Sequence, residues 1–184
     1  MEYRKTITLK DGRQCCLRNG AESDGAALLE IFRLTHLQTD YLLSCPDETD
    51  ATVEREAQYL KDKTESDGEI EILAEIKGKV VGTAGIERVG DKCKVRHRAE
   101  FGISVDKRYW GLGIGRALTQ ACIACAKRAG YAQLELAVVA ENEKAIALYE
   151  SAGFVEYGRN PKGFRSPLTG WQELVLMRLE LDAE

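Results

Sequence analysis

The chain has 184 residues, 44% of them hydrophobic and 30% charged, an ordinary globular balance that excludes a disordered or low-complexity protein and fits one domain at roughly 100–200 residues per domain. Lys and Arg total 26 against 30 Asp and Glu, a net charge of −4 that lacks the basic surplus of a nucleic-acid backbone binder. No apolar run approaches the about 18 residues of a membrane span, and the start MEYRKTITLK has no apolar leader core, so a cytoplasmic protein with neither nucleic acid nor membrane as partner is expected.

In chain order, residues 3–9 and 14–18 around Asp11-Gly12 read as a hairpin or one bent strand. After Asn19-Gly20, Ser23 or Asp24 is placed to cap a helix whose apolar positions Ala27, Leu28, Ile31, Phe32 and Leu34 recur at helical spacing and which fades near Thr39-Asp40. A break at residues 44–47 precedes a charged helix over 52–63, whose thin apolar stripe of Val53, Ala57 and Leu60 predicts a peripheral position. From Glu69 the period becomes two, with Ile70, Ile72, Ala74 and Ile76 alternating with Glu71, Glu75 and Lys77 before the Gly78-Lys79 turn and the run 80–86, which gives two antiparallel strands. A third long strand over 93–105 leads into a glycine-rich segment and a helix over 114–129 closed by Gly130. A strand over 133–139, a helix from 142 to about 152 ending at Gly153, a strand over 154–158, a loop, and a strand over 173–181 complete a mixed sheet.

Six cysteines raise the question of zinc or disulfides, and their spacing answers it. Cys15 and Cys16 are adjacent, Cys45 and Cys93 isolated, and Cys122-x-x-Cys125 lies inside a helical pattern with no second such pair and with His36 and His97 far away. Residues three apart share a helix face, so buried thiols are expected and no metal.

Trp110-Gly111-Leu112-Gly113-Ile114-Gly115-Arg116 joins a strand to a helix. Such a junction aims unpaired backbone N–H groups and the positive end of the helix dipole at one spot, which small residues let a pyrophosphate reach. A dinucleotide-binding loop would follow the first strand of a parallel sheet, and a nucleotide-triphosphate loop needs Gly-Lys-Ser/Thr where this chain has Gly115-Arg116-Ala117. A second constellation runs from Leu136 through Asn142 to Ala145-Ile146-Ala147-Leu148-Tyr149-Glu150-Ser151-Ala152-Gly153-Phe154. Together, residues 105–115 and 136–154 resemble the two acetyl-CoA-binding motifs of the GCN5-related N-acetyltransferase (GNAT) superfamily, over about residues 69–181. Trp110 stands where many members have Arg or Gln.

The resemblance implies a single-domain α/β (α+β) fold with a mixed, mostly antiparallel sheet, splayed central strands and flanking helices, spanning residues 1–184 with a CoA-binding core at 69–181 and an acceptor-shaping part at 1–66. It implies acetyl transfer from acetyl-CoA to a primary amine of a small molecule or peptide by direct attack, and it allows for a homodimer. Leu112, Gly113, Ile114, Gly115 and Arg116 match the pyrophosphate positions, Ile103, Ser104 and Val105 the strand edge that pairs with pantetheine, and Asn142 a pantetheine hydrogen-bonding position that also suits a plain N-cap. Tyr149 matches the general acid for the departing thiolate, with core packing as its other reading. Glu100 matches a general base used by some members, but Lys92, Lys94, Arg96 and Arg98 would share its strand face, which leaves salt bridging open, and His97 is a further candidate. Acceptor choice is expected from residues 36–47 and from a loop at 159–171, where Arg159, Lys162 and Arg165 suggest an acceptor carrying a negative charge, with Asp40, Asp47 and Glu48 able to offset them. The competing reading is a CoA-binding module without turnover.

Overall fold

The computed structural model describes residues 1–45 and 51–181; Pro46 and Asp47 of the expected acceptor segment, and Glu48 beside it, lie outside them. The chain starts with a hairpin, β1 (Arg4–Thr8) and β2 (Gln14–Asn19), whose turn places Gly12 at φ +85 and bonds its amide to Leu9 O at 2.9 Å. Helix α1 (Gly25–Gln38) follows a single 3-10 turn. Asp24 does not cap it, because its carboxylate is taken by Arg18 Nη1 and Nη2 at 2.7 and 2.9 Å and by Ala21 N at 2.9 Å. Helix α2 (Val53–Glu65) is capped by Thr52, which accepts from Arg55 N. This helix is not peripheral: Leu60 is fully buried against Leu28, Ile31 and Leu73, and Lys63 is buried with it.

Strands β3 (Ile70–Ile76) and β4 (Lys79–Arg88) turn at Lys77 and Gly78, both at positive φ, a pairing suited to a two-residue hairpin. The next strand, β5 (Arg98–Val105), starts later than its sequence suggests, because residues 92–97 coil into turns in which Val95 N and Arg96 N both donate to Lys92 O. There follow α3 (Ile114–Arg128), β6 (Gln133–Val139), α4 (Glu143–Ser151), β7 (Val155–Ser166) and β8 (Gly170–Glu180). The segment expected as a loop at 159–171 is mostly the arms of this last hairpin, an edge strand that absorbs Pro161 through register shifts near Gly158 and Asn160.

The eight strands run β1-β2-β3-β4-β5-β6-β8-β7, and β5 with β6 is the parallel pair. Under one face α3 buries Leu118 and Cys122, with Cys125, against Ile70, Ile72, Ala84 and Ile86, thiols among hydrocarbon as their spacing suggests. A leucine fully withdrawn from water contributes about 2 kcal/mol. The other face is covered by α1 and α2 mainly over β3 and β4, with α1 also touching β5, and Glu100 and Gly102 in the middle of β5 stay exposed on that side.

Candidate active site

β5 and β6 are in register at Arg98↔Gln133, Ala99↔Leu134 and Glu100↔Glu135, and then part, while β5 stays on β4 to Val105 and β6 stays on β8 to Val139. The base of this fork is clamped by Arg98, whose Nη2 meets the buried Glu135 Oε2 at 2.6 Å while Nε bonds the other carboxylate oxygen. Asp106 N donates to Val81 O and Val89 N to Arg98 O, which fixes the alternation of the antiparallel ladder: even residues of β5 turn their main chain to β4 and odd residues turn theirs to the gap. Ile103 and Val105 therefore offer the free edge, while the main chain of Ser104 is paired with Thr83. The Val105 carbonyl is itself held by Trp110 Nε1 at 2.6 Å, a role for the residue that departs from the common motif.

At the wide end of the fork, Gly111 and Gly113 sit at φ +77 and +100, and a Cβ on either would project into open space. The amides of Leu112, Gly113, Ile114, Gly115 and Arg116 precede the first α3 hydrogen bond, Ala117 N to Gly113 O, and have no acceptor among the described residues. Five unsatisfied donors at a helix start, with glycine keeping the approach clear, fit a pyrophosphate. The loop is braced from two sides, by Lys10 N on Leu112 O at 3.2 Å and by the carboxylate of Asp106. Asp106 is fully buried, yet Arg108 and Gln38 Nε2 at 3.0 Å hold its carboxyl below the usual range against that burial. Gln38 Oε1 also accepts from Lys107 N at 2.8 Å, so the end of α1 is tied to the loop. Neither Gln38 nor Asp106 carries a sequence signal for this, since 68 residues separate them.

Tyr149 reaches the fork from α4. Its ring stands edge-on to Phe101, the first β5 residue past the parallel pairing, at 6.0 Å, and lies 6.0 Å from Phe154. Only 8% of Tyr149 is exposed, burial holds its phenol well above the ordinary range, and its hydroxyl has no hydrogen-bond partner among the described residues. Asn142 stands at the N-cap position of α4 but its side chain makes no capping bond, which leaves the carboxamide uncommitted.

On the opposite face of β5, Glu100 is exposed between Glu87 of β4 and Glu135 of β6, its register partners. The expected row of cations beside it reduces to Arg98, because Lys92, Lys94 and Arg96 belong to the turns before the strand. His97 lies in those turns too, and the five residues to Gly102 put it about 16 Å from the fork. The same face holds Glu71, a carboxyl that sequence alternation alone would turn outward: it is buried under Tyr59 and bonded by Thr83 Oγ1. Of the expected basic rim, Arg159 is bound by Glu156 at 2.8 Å and Glu173 at 3.1 Å, while Lys162 and Arg165 each lie 5.3 Å from the Trp171 ring centre. Among the described residues no group of three or more His, Cys, Asp or Glu is placed to hold a metal ion.

Residues 31–154 match the family model described as the acetyltransferase (GNAT) family. The chain belongs to that family. Its fold superposes on the acetyltransferase of GNAT family from Streptococcus pneumoniae with a TM-score of 0.86 and 29% identity, over 90% of this chain and 99% of that one. It superposes equally broadly on the ribosomal-protein-alanine N-acetyltransferase from Brucella melitensis, with a TM-score of 0.79 and 30% identity over 89% and 98% of the two chains. In sequence it is 39% identical over 88 residues to the N-alpha-acetyltransferase RimI of Mycobacterium tuberculosis, covering 48% of this chain and 53% of that protein. The chain spans only about a quarter to a half of the length of the curated relatives it matches. In this GNAT protein the forked strands, the glycine loop and the α4 tyrosine follow one another along the chain, and no helix among the described residues is long and apolar enough to cross a membrane.

Proposed function

We propose that the protein is an acetyl-CoA-dependent N-acetyltransferase that passes the acetyl group to a primary amine by direct attack. The observation that carries this reading is Tyr149, a buried ring whose hydroxyl is uncommitted among the described residues, beside the fork whose far end is the five-amide cradle. Acetyl-CoA supplies the activated acyl group. The amides of residues 112–116 hold its pyrophosphate, Ile103 and Val105 pair with the pantetheine arm as an added strand, and Asn142 bonds that arm from the other side. Tyr149 stays protonated at neutral pH and donates its proton to the departing thiolate. A main-chain N–H at the free β5 edge stabilises the oxyanion.

The acceptor reaches the face of β5 that carries Glu100, which is exposed and attracts an ammonium group, while its register neighbours Glu87 and Glu135 are already paired with Lys63 and Arg98. With Arg159 bound by two glutamates, the case for a negatively charged acceptor weakens and a peptide or small-molecule amine suffices. Cys15, Cys122 and Cys125 are buried thiols, in keeping with cytoplasmic work. The test is thiol release from acetyl-CoA with spermidine, lysine-containing peptides and peptides starting with alanine, next to calorimetric titration with CoA alone. Binding without thiol release for any acceptor would favour the non-catalytic module.

A further inference from the structure

The open face of β5 is paved with glycine where it meets a buried acid. Glu71, Gly85 and Gly102 are successive register partners across β3, β4 and β5. The Glu71 side chain leans over Gly85 so closely that a Cβ there would collide with its Oε2, whereas a Cβ on Gly102 would meet nothing within 4 Å. The carboxyl thus lies over Gly85, and the row stays free of side chains to Gly102, one strand spacing of about 5 Å further on, which leaves a slot up to the fork between Phe101 and Ile103. That span suits one bridging water with a hydrogen bond at each end.

Behind Glu71 the polar groups continue outward. Tyr59 OH donates to Glu71 Oε2 at 3.0 Å and lies 3.3 Å from Glu87 Oε1, and Glu87, itself exposed to solvent, meets the buried Lys63 Nζ at 2.9 Å. The ionisable groups around Glu71 are therefore Tyr59 and Lys63 of α2, Glu69 just before β3, Glu87 of β4 and, one strand further, Glu100 of β5, with Cys122 of α3 across the sheet. Burial, opposed by the bonds from Thr83 and Tyr59 and by Lys63, lifts the Glu71 carboxyl to about 7. Tyr149 lies on the other face of β5, with Phe101.

Building on the acetyltransferase reading, we infer that Glu71 is the general base, taking the acceptor's proton through one water in the Gly85–Gly102 slot. The proton balance closes. The ammonium N–H breaks and its proton passes by the water to the Glu71 carboxylate, then outward past Tyr59 and Glu87 to solvent. The freed nitrogen pair forms the N–C bond, the C–S bond breaks, and the sulfur takes the Tyr149 proton, which the second nitrogen proton replaces. Base and acid thus work from opposite faces of one strand, and Glu100 attracts the cation without accepting its proton.

The test compares an alkylamine, which must be deprotonated, with hydroxylamine, which is already largely neutral at pH 7. A panel of alanine-starting peptide, lysine peptide and spermidine serves as the alkylamines. For Glu71→Gln the inference expects kcat/KM at pH 7 to fall about 100-fold with the best alkylamine and less than threefold with hydroxylamine, with CoA affinity unchanged. Equal losses with both acceptors, or the selective loss appearing in Glu100→Gln instead, would overturn it. Gly102→Ala, whose methyl enters open space and spares the fold, is expected to depress the alkylamine reaction selectively; parity with wild type would count against the slot. A readout independent of turnover is the infrared band of a protonated carboxyl in the ligand-free protein, expected to disappear with a midpoint near pH 7 and to be missing in Glu71→Gln. A band already gone below pH 5 rejects the inference. No transfer to any acceptor by the wild-type protein would instead reject the acetyltransferase reading on which it rests.

Discussion

Asp40 Oδ1 accepts a 2.9 Å hydrogen bond from Ser166 Oγ across 126 residues of sequence, joining the end of the first helical segment to the last hairpin. Its Oδ2 accepts from Thr169 Oγ1 at 2.7 Å and Gln172 Nε2 at 3.1 Å, and its carbonyl takes the same Gln172 amide at 3.0 Å. Two segments distant in sequence, which the proposed function assigns to the acceptor, are thus set by one carboxylate, next to a cavity of about 280 Å³ lined by His36, Leu43, Phe164 and Leu168. Asp40→Ala takes the carboxylate acceptor from the buried Ser166 and from Thr169, while Gln172 keeps the main-chain carbonyl, and is expected to cost about 1–3 kcal/mol in urea unfolding. It should also raise the KM of the amine severalfold while leaving CoA affinity alone. An unaltered amine KM would remove this bridge from the acceptor site.

Gly115→Glu is expected to abolish CoA binding. Its Cβ meets only Leu148 Cδ2, at 3.2 Å, so the helix tolerates it, but the carboxylate lands among the cradle amides. The wild type should gain about 2.7 kcal/mol of stability when CoA stands at about 100 times its Kd, and the variant none. Thermal shift and calorimetry with CoA measure both, and a retained shift in a folded variant would place the pyrophosphate elsewhere.

Tyr149→Phe keeps the packing against Phe101 and Phe154 and removes a hydroxyl that holds no partner among the described residues. Melting temperature and CoA affinity should stay as they are, while kcat falls about 10²–10⁴-fold. Steady-state rates alongside CoA titrations separate the two effects; unchanged turnover would make the tyrosine a packing residue.

Arg98→Met leaves the Glu135 carboxylate buried without its bidentate partner at the point where β5 and β6 diverge. A loss of about 3 kcal/mol is expected, the usual consequence of stranding one member of a buried ion pair. Arg98→Met/Glu135→Leu should recover most of it in a double-mutant cycle. Additive losses would mean that the pair does not clamp the fork.

Glu71 gives the fold a pH dependence. Its folded value, raised to about 7 by burial, exceeds the unfolded one near 4.5, so the native state binds the extra proton between these limits. The stabilisation is complete below about pH 4.5 and is lost as pH rises through 7, on the order of 3 kcal/mol in all. Urea midpoints at pH 5.5 and 8.5 should fall with pH in wild type and change less in Glu71→Gln. An identical fall in both would assign the dependence to other groups.

Local pattern reached the elements whose pattern is local. α3 and β6 follow from a helical stripe ending at Gly130 and a short apolar run, and the glycine loop and Tyr149 follow from motif residues contiguous in sequence. What escaped depends on partners distant in the chain. Glu71 reads as the polar half of an alternating strand, and only Tyr59 arriving from α2 buries it. The edge strand β7 hides behind Pro161 and Gly163, residues that signal a loop but are tolerated where one side needs no ladder bonds. The charged stretch 92–97 alternates well enough to extend a strand, yet it coils because nothing apolar draws it onto the sheet.

The fork also divides the molecule mechanically. β1 through β5 form one antiparallel panel and β6, β8 and β7 another, and their shared seam is three residues long. Along the rest of the seam the amides of Ile103 and Val105 have no strand to shield them, so in the ligand-free protein they should exchange with deuterium as if at an outer edge, although they lie mid-sheet. A pantetheine arm laid between the panels becomes the missing ninth strand. The donor would then mortar two halves into one continuous surface, and a chain that has released its CoA would be most easily parted, by force or by protease, along the line where the chemistry takes place.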